Sequence, residues 1–191
     1  MLSGVRTTIF LLSLTAALFA GCKNDSPAST PPPRTSTPEP RTDAVAPQEI
    51  PKAESGRPQP RLVTLKLWVG TNEVTSEIAY TMPQIMAGMM WRTNMPENTA
   101  MIFVFDYPAS KNFYMRNCVV PLSAGYIQPD GALAEIAKLV PGDQVGVQSK
   151  SENLQFVLEV PQGWFERHNV KTGAVIRTEK GSLLDTFFPK R

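Results

Sequence analysis

The chain has 191 residues, 42% of them hydrophobic, with 19 Lys and Arg against 17 Asp and Glu and a net charge of +2. The basic residues are scattered, which gives no face for nucleic acid. One histidine and two cysteines are too few for a zinc site, and no cofactor or metal is expected.

Residues 1–21 read as a lipoprotein signal peptide. Arg6 supplies a short basic start, and Ile9 to Ala20 is an apolar run of 12 residues, too short for a permanent membrane span. The run leads into Leu18-Phe19-Ala20-Gly21-Cys22, which resembles the bacterial lipobox and makes Cys22 the lipidation site. Two or three acyl chains on Cys22 would hold the protein on a membrane almost permanently. The plainer alternative is a cleaved signal that leaves Cys22 as a free thiol. Lys23 follows, not the Asp that resembles an inner-membrane retention signal. The expected location is therefore exported and lipid-anchored to the cell envelope, on the outer membrane facing the periplasm rather than on the inner membrane.

Residues 22–60 are expected to be a disordered linker. Ten of the 18 prolines lie between Lys23 and Pro60, with Val45 and Ile50 almost the sole large aliphatics. Such a segment buries too little apolar area to offset its ordering entropy.

The domain, residues 61–191, is read as a series of short strands. Arg61 to Gly70 alternates, with Val63, Leu65, Leu67 and Val69 on one face. Glu73 to Tyr80 is a weaker strand. Thr81 caps a short helix with Pro83 in its first turn, and Met82, Met86, Met89 and Met90 form one apolar face. Met101 to Phe105 is a buried strand, followed by strands at 112–116 and 122–128. Pro129-Asp130-Gly131 turns the latter into a hairpin with 132–139. Leu154 to Val160 is a strand, 163–168 a short helix, and Gly173 a turn before 174–177. Leu183, Leu184, Phe187 and Phe188 could dock the tail as a helix. Short strands at regular spacing with two short helices predict a mainly β fold, a small antiparallel β-sandwich or barrel.

Three clusters carry a resemblance. They are Ala87-Gly88-Met89-Met90-Trp91-Arg92, then Ala100-Met101-Ile102-Phe103-Val104-Phe105, then Asn112-Phe113-Tyr114-Met115-Arg116-Asn117 with Pro121-Leu122. In this order they resemble the bacterial and archaeal family catalogued as domain of unknown function 192, over about residues 62–177. Asp130-Gly131, Leu158-Glu159-Val160, Gly163 and Gly173 follow in the family's order. Ser123 stands where the family has Asp, Cys118 where Thr is usual, and Met89 where Leu is usual. The resemblance implies a mainly β fold and no assigned activity.

Candidate chemistry is sparse. Cys118 and His168 are the one conceivable thiol–imidazole pair, but nothing in the sequence brings them together. Seven of the eight methionines lie between Met82 and Met115. Thioethers can bind Cu(I), yet helical spacing and apolar strands favour packing. Arg92, Asn117 and Glu159 are the polar groups inside the motifs, and they form either a structural network or a ligand site. Alternation along 156–160 places Glu159 with Val157, away from Leu158. No catalytic residue is assigned. The expected function is binding of a small ligand or a protein partner in the envelope, without catalysis. The alternative is an envelope enzyme, a hydrolase or carbohydrate-active protein, using Arg92, Asn117 and Glu159.

Overall fold

The computed structural model describes residues 56–190. The signal peptide, Cys22 and the linker up to residue 55 lie outside the described residues. The fold begins with an antiparallel hairpin of β1 (Thr64–Val69) and β2 (Asn72–Ala79), paired from Thr64 opposite Glu77 to Val69 opposite Asn72. Residues 80–98, which carry α1 (Met82–Ala87), bring the chain back so that β3 (Thr99–Ala109) runs parallel to β2. The remaining elements are β4 (Asn112–Phe113), β5 (Leu122–Ile127), β6 (Leu133–Leu139), β7 (Val147–Gln148), β8 (Leu154–Pro161), α2 (Trp164–Arg167), β9 (Ile176–Thr178), β10 (Gly181–Ser182) and α3 (Leu183–Phe187).

One sheet takes the strands in the order β10-β9-β1-β2-β3-β8-β5-β6, and β4 pairs with β7 apart from it. The large sheet meets itself. A bridge between Ala132 and Val175 joins the start of β6 to the approach of β9. Three backbone bonds flank it: Leu133 N–H to Ala174 at 2.9 Å, Gly173 N–H to Leu133 at 2.8 Å and Ile176 N–H to Gly131 at 2.9 Å. The result is a small barrel, a closed form that leaves few free strand edges.

Side-chain alternation divides the core in two. Ala100, Ile102 and Val104 of β3 and Phe156, Leu158 and Val160 of β8 join one apolar cluster inside the barrel, with Ile127, Ile176, Trp164 and Phe165. Met101 and Phe103 of β3 and Val157 of β8 face the other way, into a second cluster with Met89, Met90, Met115, Leu122 and Tyr126. Both faces of β3 are therefore covered, which explains its unbroken apolar sequence.

The mainly β fold and the β5–β6 hairpin match the sequence reading, as does the docked tail, where Leu183 is buried and Phe187 and Phe188 pack 6.0 and 6.3 Å from the Phe156 ring. Five details differ. The sheet is mixed, because residues 80–98 are long enough for a parallel return. The described residues hold three short helices where two were expected. The strand expected at 112–116 stops at Phe113, since Met115 N–H turns away to the Asp143 carbonyl at 2.6 Å. The methionine stripe also divides: Met89 and Met90 are buried, whereas Met82 and Met86 are 65% and 48% exposed. Finally, Gln59, which composition assigns to the linker, donates from Nε2 to the carbonyls of Gln84 (3.2 Å) and Gly88 (2.8 Å). Contacts of the domain thus begin ahead of Arg61.

Closure rests on Gly131. Its φ is +88°, and a Cβ there would sit 2.7 Å from the Ile176 carbonyl oxygen. Gly142 has a similar φ of +80° with nothing within 4 Å of its Cβ position. Both alanine variants carry the left-handed backbone strain, about 1 kcal/mol or more, and Gly131→Ala alone also pushes the seam apart. Urea unfolding should therefore show Gly131→Ala less stable than Gly142→Ala by at least about 1 kcal/mol. Equal losses would mean that the seam does not hold the barrel.

Candidate functional site

The helix α1 owes its place to a buried ion pair beside it. Locally, the Gln84 side chain accepts from the N–H groups of Tyr80 and Thr81 at 3.1 Å, fixing the helix start. At the other end Gly88 has φ +44°, and a Cβ there would meet the Phe103 ring at 3.4 Å, so the chain leaves the helix close against β3. Four residues on, Arg92 grips Glu77 of β2 with two parallel bonds, Nη1 to Oε1 at 2.5 Å and Nη2 to Oε2 at 2.9 Å. Arg61 Nη1 and the Leu62 N–H add two more bonds to the same carboxylate, both at 2.8 Å. Burial alone would raise the Glu77 carboxyl, but the bonds from Arg92, Leu62 and Arg61 outweigh it and hold it at about 2.

Beyond the pair lies a cleft of about 430 Å³ between α1, β3 and the segment through Tyr114. This volume is in the range of small-molecule sites. Four of the large exposed hydrophobic residues, Tyr80, Met82, Met86 and Tyr107, border it. A gathering of exposed apolar groups around a concavity is the kind of surface that marks an interaction site. Deeper residues include Phe103, Met89 and Met90, all buried. The Phe113 ring meets Phe103 edge-on at 4.9 Å.

Three buried polar side chains line this apolar cleft. Glu159 is the most unusual. Its register neighbours are Met101 on β3 and Ala124 on β5, neither of which offers a side-chain donor. Oε2 is fully buried without a hydrogen-bond partner. Burial pushes the carboxyl up to about 8, so it carries its proton at neutral pH and is a donor. Since the folded pKa is raised above the unfolded value, this group favours folding less as pH climbs from about 4.5 to 8. Cys118 is also buried, and burial followed by the nearby Glu159 raises its thiol to about 12. A thiol so far from ionisation is not a nucleophile. Lys111 is buried as well, with Nζ 4.2 Å from the centre of the Phe105 ring. Burial lowers its ammonium below the usual lysine value.

The residues singled out in the sequence are not gathered in one place. Arg92 borders a smaller pocket of about 250 Å³ with Glu77, and Glu159 lines the large cleft. Asn117 lies in the left-handed region at φ +58°, and its carbonyl accepts from the Trp91 N–H at 2.8 Å. Trp91 is left-handed too, at φ +63°, so this bond ties two turns of the family motifs together. Glu159 does share its face with the second cluster, as alternation requires. His168 is nowhere engaged with Cys118: it stacks on Trp164 at 4.3 Å and meets Glu97 at 3.2 Å. The buried methionines are core residues packed among aromatics. Sequence reasoning missed Glu77, Lys111 and the cleft. A charge inside Ser76-Glu77-Ile78 was the available signal for Glu77, since a strand half-buried at that position must answer it.

The Glu77–Arg92 pair yields a stability prediction. Ionised Glu77 with all its donors (Arg92, the Leu62 N–H and Arg61) contributes stability that is present above pH 4.5 and lost as pH falls through about 2, amounting to about 3 kcal/mol at 1.36 kcal/mol per pKa unit. Arg92→Ala leaves Glu77 buried with weakened compensation and should cost about 3–5 kcal/mol at pH 7. The gap to wild type should narrow as pH drops towards 2, and Arg92→Lys, which cannot make the two-bond fork, should fall between. Urea unfolding at several pH values checks this. A loss below about 1 kcal/mol at pH 7 would contradict it.

Comparison with known proteins places this geometry in a family. Residues 65–178 match the model of DUF192, described as "Uncharacterized ACR". Among curated proteins none matches the chain. A crystal structure from Sinorhizobium meliloti 1021, named as a "putative transcription regulator", is similar with a TM-score of 0.60 and 24% identity, over 63% of this chain and 97% of that one. A protein of unknown function from Novosphingobium aromaticivorans DSM 12444 is similar with a TM-score of 0.55 and 28% identity, over 61% of this chain and 84% of that one. The first of these likenesses shows the fold alone. With the family model matched across its barrel and its cleft-forming segments, the chain belongs to the family of domain of unknown function 192.

Proposed function

We propose that the domain is a binding module for a small, largely apolar molecule that presents a hydrogen-bond acceptor to Glu159. The observation that carries this reading is the buried Glu159 carboxyl, whose Oε2 has no hydrogen-bond partner, lining an apolar cleft. A buried donor with no acceptor costs about 1–3 kcal/mol, and a ligand oxygen would recover it. Flexible methionines along one wall suit a cleft that adapts to its occupant. Catalysis has no comparable support: Arg92 is taken by Glu77, Asn117 serves as a turn, and the Cys118 thiol is held protonated.

In the same proposal the module is exported and lipid-anchored through Cys22, with the segment from Cys22 up to the Gln59 contact as its tether, on the outer membrane facing the periplasm. The composition of the N-terminal segment supports that reading, and the described residues contain no helix long and apolar enough to cross a membrane. The partner is then a small ligand of the envelope.

Native mass spectrometry of the full chain purified from membranes tests the cleft. The expected result is a bound small molecule that is lost in Met86→Glu, which places a charge at the half-exposed rim. An identical adduct in that variant, or no adduct on the wild type, would refute the binding module.

A further inference from the structure

Among the described residues, Arg92 and Lys111 are the buried basic side chains, and they are treated differently. Arg92 has the Glu77 carboxylate. Lys111 has no carboxylate oxygen within 4 Å among the described residues; the contact of its ammonium is the face of Phe105. An aromatic ring answers a desolvated cation through its quadrupole, more weakly than a carboxylate does. The backbone around Lys111 is fixed: its N–H donates to Ser149 Oγ at 2.9 Å, and its carbonyl accepts from the Ser149 N–H at 2.8 Å. The lysine backbone is therefore anchored beside the cleft, and the exposed Asp106, which also lines it, does not pair with the ammonium.

We infer that the occupant of this cleft is a monocarboxylate with an apolar, partly aromatic body, and that Lys111 meets its charge. The inference rests on the cleft being a ligand site and adds the charge and class of the ligand. Glu159 does not compete for Lys111 as a counter-ion at neutral pH, because its carboxyl is protonated there. An incoming carboxylate would give Lys111 the partner that Arg92 already has. The body follows from the walls, which include the aromatic residues Tyr80, Phe103, Phe105, Tyr107, Phe113 and Tyr114. Flat rings pack against such edges at offset or perpendicular angles.

The test uses the full chain labelled at its methionine methyl groups and titrated at pH 6.5 with two probes of equal shape, 2-naphthoate and the neutral 2-naphthamide. Both should shift the methyl signals of Met82, Met86, Met89 and Met90, with the acid binding about tenfold more tightly. Lys111→Met keeps the apolar stem and should erase that preference while retaining amide binding. Lys111→Arg keeps the charge and should retain the preference, which separates lost charge from a damaged fold. Equal affinities for acid and amide in the wild type would overturn the inference and leave the cleft as a site for neutral ligands. Retention of the preference in Lys111→Met would remove Lys111 from it. If neither probe moves those four methyl signals, the cleft reading itself falls.

Discussion

The two-bond fork between Arg92 and Glu77 joins three segments that the chain keeps apart: β2, the loop after α1 and the entry at Arg61 and Leu62. A carboxylate taken out of water is tolerable where several donors surround it, and here four bonds converge on one group. Their effect reaches the cleft, because Arg92 ends the segment that begins with α1, and α1 is one of its walls. Without that anchor the helix would have Gln59 at its end and the Phe103 contact to hold it.

The same barrel treats its two buried acids in opposite ways. Glu77 is saturated with donors and stays ionised down to about 2, while Glu159 has an unpartnered oxygen and keeps its proton up to about 8. Nothing in the residue type decides this; the neighbours do. Glu77 faces two arginines and a free backbone N–H, and Glu159 lies between Met101 and Ala124 on adjacent strands. The first acid fastens structure. The second leaves a buried oxygen that no group among the described residues engages.

Much of the barrel could be read from the chain. The alternation of 65–69, the Pro129-Asp130-Gly131 turn and the unbroken apolar 101–105 run each report a local rule, and each corresponds to an element of the structure, whereas Val63, read onto the same buried face, precedes β1 and is exposed. What escaped was set by distance along the chain. The parallel pairing of β2 with β3 depends on how residues 80–98 return, and periodicity holds no record of direction. The methionine stripe satisfies a helix of any length, whereas α1 ends at Ala87, so Met89 and Met90 turn inward and Met82 and Met86 stay out. Arg92, Asn117 and Glu159 were recognisable as polar groups in apolar motifs, but their partners were not. Glu77 lies 15 residues from Arg92 and on another element, and Lys111 reads as an ordinary surface lysine until Phe105 is seen beside it.

The proposed binding depends most on Glu159 being a neutral donor within the cleft. The direct measurement is the carboxyl carbon chemical shift of Glu159 in the full chain, followed by NMR from pH 4 to pH 10. Burial predicts a midpoint near 8 and a protein that loses stability as pH climbs from about 4.5 to 8. A midpoint near the ordinary glutamate value of 4.5 would show a solvated or paired carboxylate, and the donor on which the proposed binding rests would not exist.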